Sequence, residues 1–171
     1  MLDDSPVKEG DILVEHGKLY EVVKVAKKVG FNGEEKIHVF FKPLFETNEN
    51  KTLSCTIPLE NLVIANIRRP VGKDEMDKIL QFDLNLENFL NQDFDIAYAK
   101  EILKKNDPKA SAQLAKSIWQ EIKDDIESAT KSKKDIFTLS IQSLTQEVAY
   151  TFGITLEKAE AKLHNALKKA V

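Results

Sequence analysis

Apolar and polar positions along this chain change period near residue 70. Before that point, apolar residues come in short runs that partly alternate with polar ones: Asp11–Glu15, Lys18–Val25, Lys36–Lys42 and Thr52–Ile57. These runs are rich in β-branched and aromatic residues, and alternation puts one set of side chains on one face, so each reads as a strand. Turn signals separate them at His16-Gly17, at Phe31-Asn32-Gly33 and across 46–50. Asn32-Gly33 suits a hairpin because both residues tolerate positive φ.

From residue 73 the apolar spacing becomes helical. Lys73–Leu80 reads as a short helix and Asp95–Lys105 as another, with Ile96, Ala99, Ile102 and Leu103 on one side. Asp107-Pro108 is a start signal, an Asp cap with Pro at the first helical position. The next helix carries Leu114, Ile118, Ile122 and Ile126 as an i, i+4 ladder. Ser132 and Asp135 resemble a capping box, and the helix after them is expected to end at Gly153. Thr155 caps a last helix that buries Leu156, Ala159, Leu163, Ala166 and Leu167. The expected fold is α+β: a small Tudor/SH3-like β-barrel of about five short strands over 1–69, a joint at 68–74, then an all-α helical bundle over 73–171.

Composition narrows the function classes. No apolar run approaches the ~20 residues that span a bilayer, and the first residues, Met1–Pro6, lack the basic and apolar regions of a signal peptide. The single cysteine, Cys55, excludes an internal disulfide and a cysteine-based zinc site, so a cytoplasmic protein is expected. Residues 1–69 hold 10 Lys/Arg against 11 Asp/Glu, and residues 70–171 hold 15 against 17. Neither half is basic, so any nucleic-acid contact must come from a local patch. His16, His38 and His164 fall in different elements and the carboxylates are scattered, which leaves no catalytic or metal-ligating constellation. Cys55, between Ser54 and Thr56, reads as a strand thiol rather than a nucleophile. No enzyme, cofactor or metal is expected.

Four pieces of the β-half line up with a known domain. Glu9–Val14 with His16-Gly17, Gly33–Lys36 before Val39-Phe40-Phe41, Leu53–Asn61 with its Ile57-Pro58 corner, and Ile67-Arg68 followed by Pro70-Val71 occur in the right order. Together they resemble the RNA-polymerase-interacting domain shared by CarD-like transcriptional regulators and the transcription-repair coupling factor. The helical half is similar in length to the CarD-like DNA-contacting domain. It is too short for helicase motors and has no Walker phosphate loop, so the chain resembles the stand-alone bacterial regulator. The resemblance implies a transcription regulator, associated with the nucleoid through the polymerase. Its β-domain would bind the RNA polymerase β subunit, and its helical domain would make weak, non-specific contact with promoter DNA and stabilise the open promoter complex.

The resemblance also suggests residues. By position the polymerase-binding set is Lys28, Val29, Phe31, Ser54 and Thr56, with Val29 and Thr56 standing where some family members carry arginine. The DNA-binding set is Phe94 and Tyr98 with the nearby Lys100, Lys104 and Lys105. Phe94 matches the family's aromatic wedge, but Asp93 and Asp95 flank it where a basic setting is usual, and a core position is the alternative. Trp119, beside Ile118 and Ile122, reads as a core anchor. The lysines at 131–134 and 158–169 read as solvated helix faces or as phosphate contacts. The competing function is a protein-interaction adaptor with a Tudor/SH3-like barrel that never touches DNA, favoured by the acidic flanks of Phe94 and the net-negative helical half. A small hydrolase would need a convergent polar pocket that the sequence lacks.

Overall fold

Four antiparallel strands follow one another in the sheet as they do in the chain: β1 (Ile12–Glu15), β2 (Lys18–Val29), β3 (Glu35–Pro43) and β4 (Cys55–Pro58). The computed structural model describes residues 6–29, 33–82 and 95–170, in two compact units, Met1–Pro70 and Val71–Val171. β1 and β2 are joined through His16 (φ 48°) and Gly17 (φ 75°). Two successive positive φ values give the tight turn whose twist matches that of the strands it joins.

A bulge decides which side chains of β2 reach the core. Val22 pairs with Phe41 and Lys24 with Phe40, so Val23 is the extra residue. The alternation slips by one, and Val25 rather than Lys24 returns to the inner face. The inner face is then built of cross-strand rows: Leu13 with Tyr20, Val22 with Phe41 and Cys55, Val25 with Val39 and Ile57. Tyr20 and Phe41 meet edge to face at 5.2 Å. The short helix α1 (Asn61–Ile64) sends Leu62 into this core and Ile67 follows it.

Chain exit and chain entry are tied. The Val14 N–H donates to the Arg68 carbonyl at 2.7 Å and the Arg68 N–H returns to Val14 at 3.2 Å. This bridge is isolated, so the sheet among the described residues has four strands and is open, with β4 an edge strand. The sequence predicts a strand from Thr52, but β4 starts at Cys55. The Asn50 side chain accepts the Thr47 N–H at 2.6 Å and donates to the Phe45 carbonyl at 3.0 Å, and the Leu53 N–H bonds the Asn50 carbonyl. Those bonds hold the stretch before β4 in turns.

The second unit holds α2 (Lys73–Leu80), α3 (Ile96–Lys104), α4 (Pro108–Ile122), α5 (Lys131–Phe152) and α6 (Leu156–Lys169). Asp95, Asp107 and Thr155 cap α3, α4 and α6 with their side chains, and Gly153 ends α5 at φ 63°. The cap of α5 is Thr130, which accepts the Lys133 N–H, and not Ser132. One core gathers Ala99, Ile102, Leu114, Ile118, Ile122 and Ile136, with Trp119 stacked on Phe137 at its margin. Ile126 leaves the expected ladder: α4 stops at Ile122, the Asp125 N–H closes a turn onto the Ile122 carbonyl, and Ile126 is exposed. Glu147 of α5 is fully buried and accepts the Val71 N–H at 2.8 Å. Among the described residues no helix is long and apolar enough to cross a membrane.

Candidate interaction surface

Directly paired residues of antiparallel strands share a face of the sheet. Lys24 pairs with Phe40 and Phe40 with Thr56, while Ala26 pairs with His38 and Lys28 with Lys36. The face opposite the core therefore carries Lys24, Lys28, Lys36, His38, Phe40 and Thr56. Phe41 is in the core at 4% exposure, which forces its neighbour Phe40 outward, where it is only half-buried. The Lys28 ammonium lies 5.2 Å from the Phe40 ring centroid, within cation–π range. Thr56, exposed on the edge strand, stands on the other side of the same ring.

Charge on this face is only partly neutralised. Lys36 reaches Glu60 at 2.6 Å, and the hydrogen bond and charge of that carboxylate push the Lys36 ammonium up from its ordinary value. Lys42 lies 3.7 Å from Glu21. Lys24 makes no ion pair among the described residues, and Lys28 has the Phe40 ring in place of a carboxylate. The result is an aromatic flanked by two cations and bordered by an edge strand, a composition suited to a protein surface with acidic and apolar character.

The structure brings together only part of the expected polymerase-binding set. Lys28 and Thr56 flank Phe40, and Ser54 is exposed just ahead of β4. Val29 is 67% exposed but pairs with Glu35 on the opposite side of the ribbon. Phe31 lies outside the described residues. Phe40 is the residue that the candidate set leaves out. Its signal is in the sequence: in Val39-Phe40-Phe41 on one strand, two adjacent aromatics cannot share a face.

In the helical unit, Asp95 accepts the N–H groups of Ala97 and Tyr98, and this cap fixes where α3 begins. Ala99 and Ile102 are buried, so Tyr98, Lys100, Lys104 and Lys105 are left exposed. At 100° per residue, Tyr98 and Lys105 form one ridge and Lys100 and Lys104 another. Lys104 is paired with Glu101 at 2.8 Å, and its hydrogen bond and charge hold the Glu101 carboxyl below the ordinary range. Phe94 lies outside the described residues. No group of three or more His, Cys, Asp or Glu side chains among the described residues is placed to hold a metal ion. Compared with family models and with curated proteins, the chain matches none.

Proposed function

We propose that this protein is a CarD-like transcription regulator whose β unit docks on the RNA polymerase β subunit through the outer face around Phe40. The observation that carries the reading is the register that puts Lys28, Phe40 and Thr56 side by side next to an edge strand. The ordered motifs of the first 70 residues support it, and so do the β-bulge at Val23 and the Val14–Arg68 bridge, two features that suit a Tudor/SH3-like barrel. Nothing in this role requires covalent chemistry. A half-buried ring between two cations supplies an anchor, and the β4 edge supplies unpaired main-chain groups.

The test is binding of the full chain to the isolated β-subunit lobe by biolayer interferometry. Saturable binding is expected, weakened at least tenfold by Phe40→Ala with the circular dichroism spectrum unchanged. A wild-type chain that does not bind the lobe would overturn the proposal.

A second function follows from the resemblance. The helical unit reaches melted promoter DNA, where an aromatic at the fork stabilises unstacked bases by ~1–3 kcal/mol. Phe94→Ala is then expected to leave polymerase binding intact and to shorten the open-complex lifetime. The adaptor reading is favoured by one observation, the Lys104–Glu101 pair, in which an exposed carboxylate partly offsets the positive charge of the α3 surface. Salt-dependent binding to a forked promoter separates the two, since the adaptor shows none.

A further inference from the structure

One face of α6 is unlike its other faces. Lys158, Lys162, Asn165 and Lys169 recur at i, i+4, i+7 and i+11 and form a single stripe about 16 Å long at ~1.5 Å rise per residue. The acids of the helix, Glu157 and Glu160, lie a quarter-turn or more away. No glutamate of α6 stands four residues before a lysine, the arrangement that neutralises an ordinary solvated helix. None of the three lysines has an ion pair among the described residues, and Lys162 is steered by the Phe152 ring, 4.4 Å from its ammonium.

The stripe is one wall of a groove of about 840 Å³ between α6 and α2. Leu80, Ala161, Ala166 and Ala170 give the groove its apolar lining, and Asp77 of α2 and Gln81 just after that helix line the opposite wall. Small residues on one wall let another backbone approach closely. A row of donors at helical repeat matches acids spaced at the same repeat on a second helix. Asp77 on the facing wall disfavours a phosphate chain, which is negative throughout. It accommodates a peptide that is acidic on one side only.

We infer that the α2–α6 groove is a docking site for an acidic amphipathic helix of a partner protein, laid along α6 with its carboxylates against Lys158, Lys162 and Lys169. The apolar side of that helix packs over the alanines and Leu80. This is the helix-in-groove mode of recognition with its specificity set by charge register. It is independent of polymerase docking through the β unit.

The experiment is fluorescence anisotropy of the full chain with a labelled 18-residue designed helix. The probe carries glutamates at i, i+4, i+7 and i+11 and leucines on the adjoining face. A scrambled peptide of the same composition and an oligothymidylate of 18 nucleotides serve as comparators. Saturable binding of the ordered peptide is expected, at least tenfold tighter than of the scramble. Lys158→Glu, Lys162→Glu and Lys169→Glu together should weaken it at least thirtyfold. Ala161→Trp, which blocks the groove and leaves every charge in place, should weaken it at least tenfold. Circular dichroism identical to wild type is the folding control for both variants. Equal binding of the scramble, unchanged affinity in either variant, or tighter binding of the oligonucleotide than of the peptide would overturn the proposal.

Discussion

The Arg69 guanidinium lies 2.9 Å from the Asp11 carboxylate, joining residues 58 positions apart at the two ends of the β unit. Asp11 also accepts the Lys8 N–H, so it organises the start of β1 as well as the exit segment. Both side chains are largely shielded, and the pair stands next to the Val14–Arg68 bridge. Arg69→Ala is expected to lower the stability of the β unit by about 1.5–2 kcal/mol, the lower part of the range for hydrogen bonds to charged groups. Hydrogen exchange of the β1 and β2 amides checks this. In a double-mutant cycle with Asp11→Ala, the two effects should fall short of additive.

Phe40 and Phe41 are neighbours with opposite roles. Phe41→Ala removes a core ring packed on Tyr20 and is expected to cost about 3–5 kcal/mol in chemical denaturation. Phe40→Ala is expected to cost less than 1.5 kcal/mol and to show its effect in polymerase-lobe binding. Equal destabilisation by both would contradict the placement of Phe40 on the outer face.

Glu147 is fully buried and holds the Val71 N–H. Replacement by Leu leaves that part-buried donor without its acceptor, and a loss of about 1–3 kcal/mol in the stability of the helical unit is expected. Glu147→Gln keeps an acceptor and should recover part of it. Thermal unfolding followed by Trp119 fluorescence reads this unit.

Gly153 has φ 63°, and a Cβ built there meets nothing within 4 Å. The cost of Gly153→Ala is therefore conformational alone, about 1 kcal/mol. Gly153→Asn should cost less, since Asn adopts the left-handed region more readily. The same thermal unfolding distinguishes the three side chains.

Burial, and then the charge of Glu15, pushes the Cys55 thiol above its ordinary value. Its thiolate is scarce at neutral pH, so iodoacetamide should alkylate Cys55 more slowly than glutathione at pH 7.5. The rate should rise with pH at values above those for a free thiol. The raised value also means that the folded state holds this proton more tightly than the unfolded state. The associated stability is present below the ordinary thiol value and is lost as pH rises through the raised one.

Local signals alone determined much of this protein. The change from alternating to helical periodicity near residue 70, the His16-Gly17 turn, the Asp95, Asp107 and Thr155 caps and the Gly153 stop depend on residues within a few positions of one another. Their physics is local, so they are legible in sequence. The bulge at Val23 is different. Only the pairing of β2 with β3 shows that the alternation slips there, and that slip puts Lys24, Lys28, Phe40 and Thr56 on one face and Val29 on the other. The length of β4 depended on the bonds of Asn50 to Thr47 and Phe45, and Ile126 fell out of its ladder when the chain turned after Ile122. The α6 stripe was visible as a row of lysines, but its groove exists only because α2 packs beside it. Spacing along the chain shows which residues share a face of one element; what stands across from that face is decided by packing between elements.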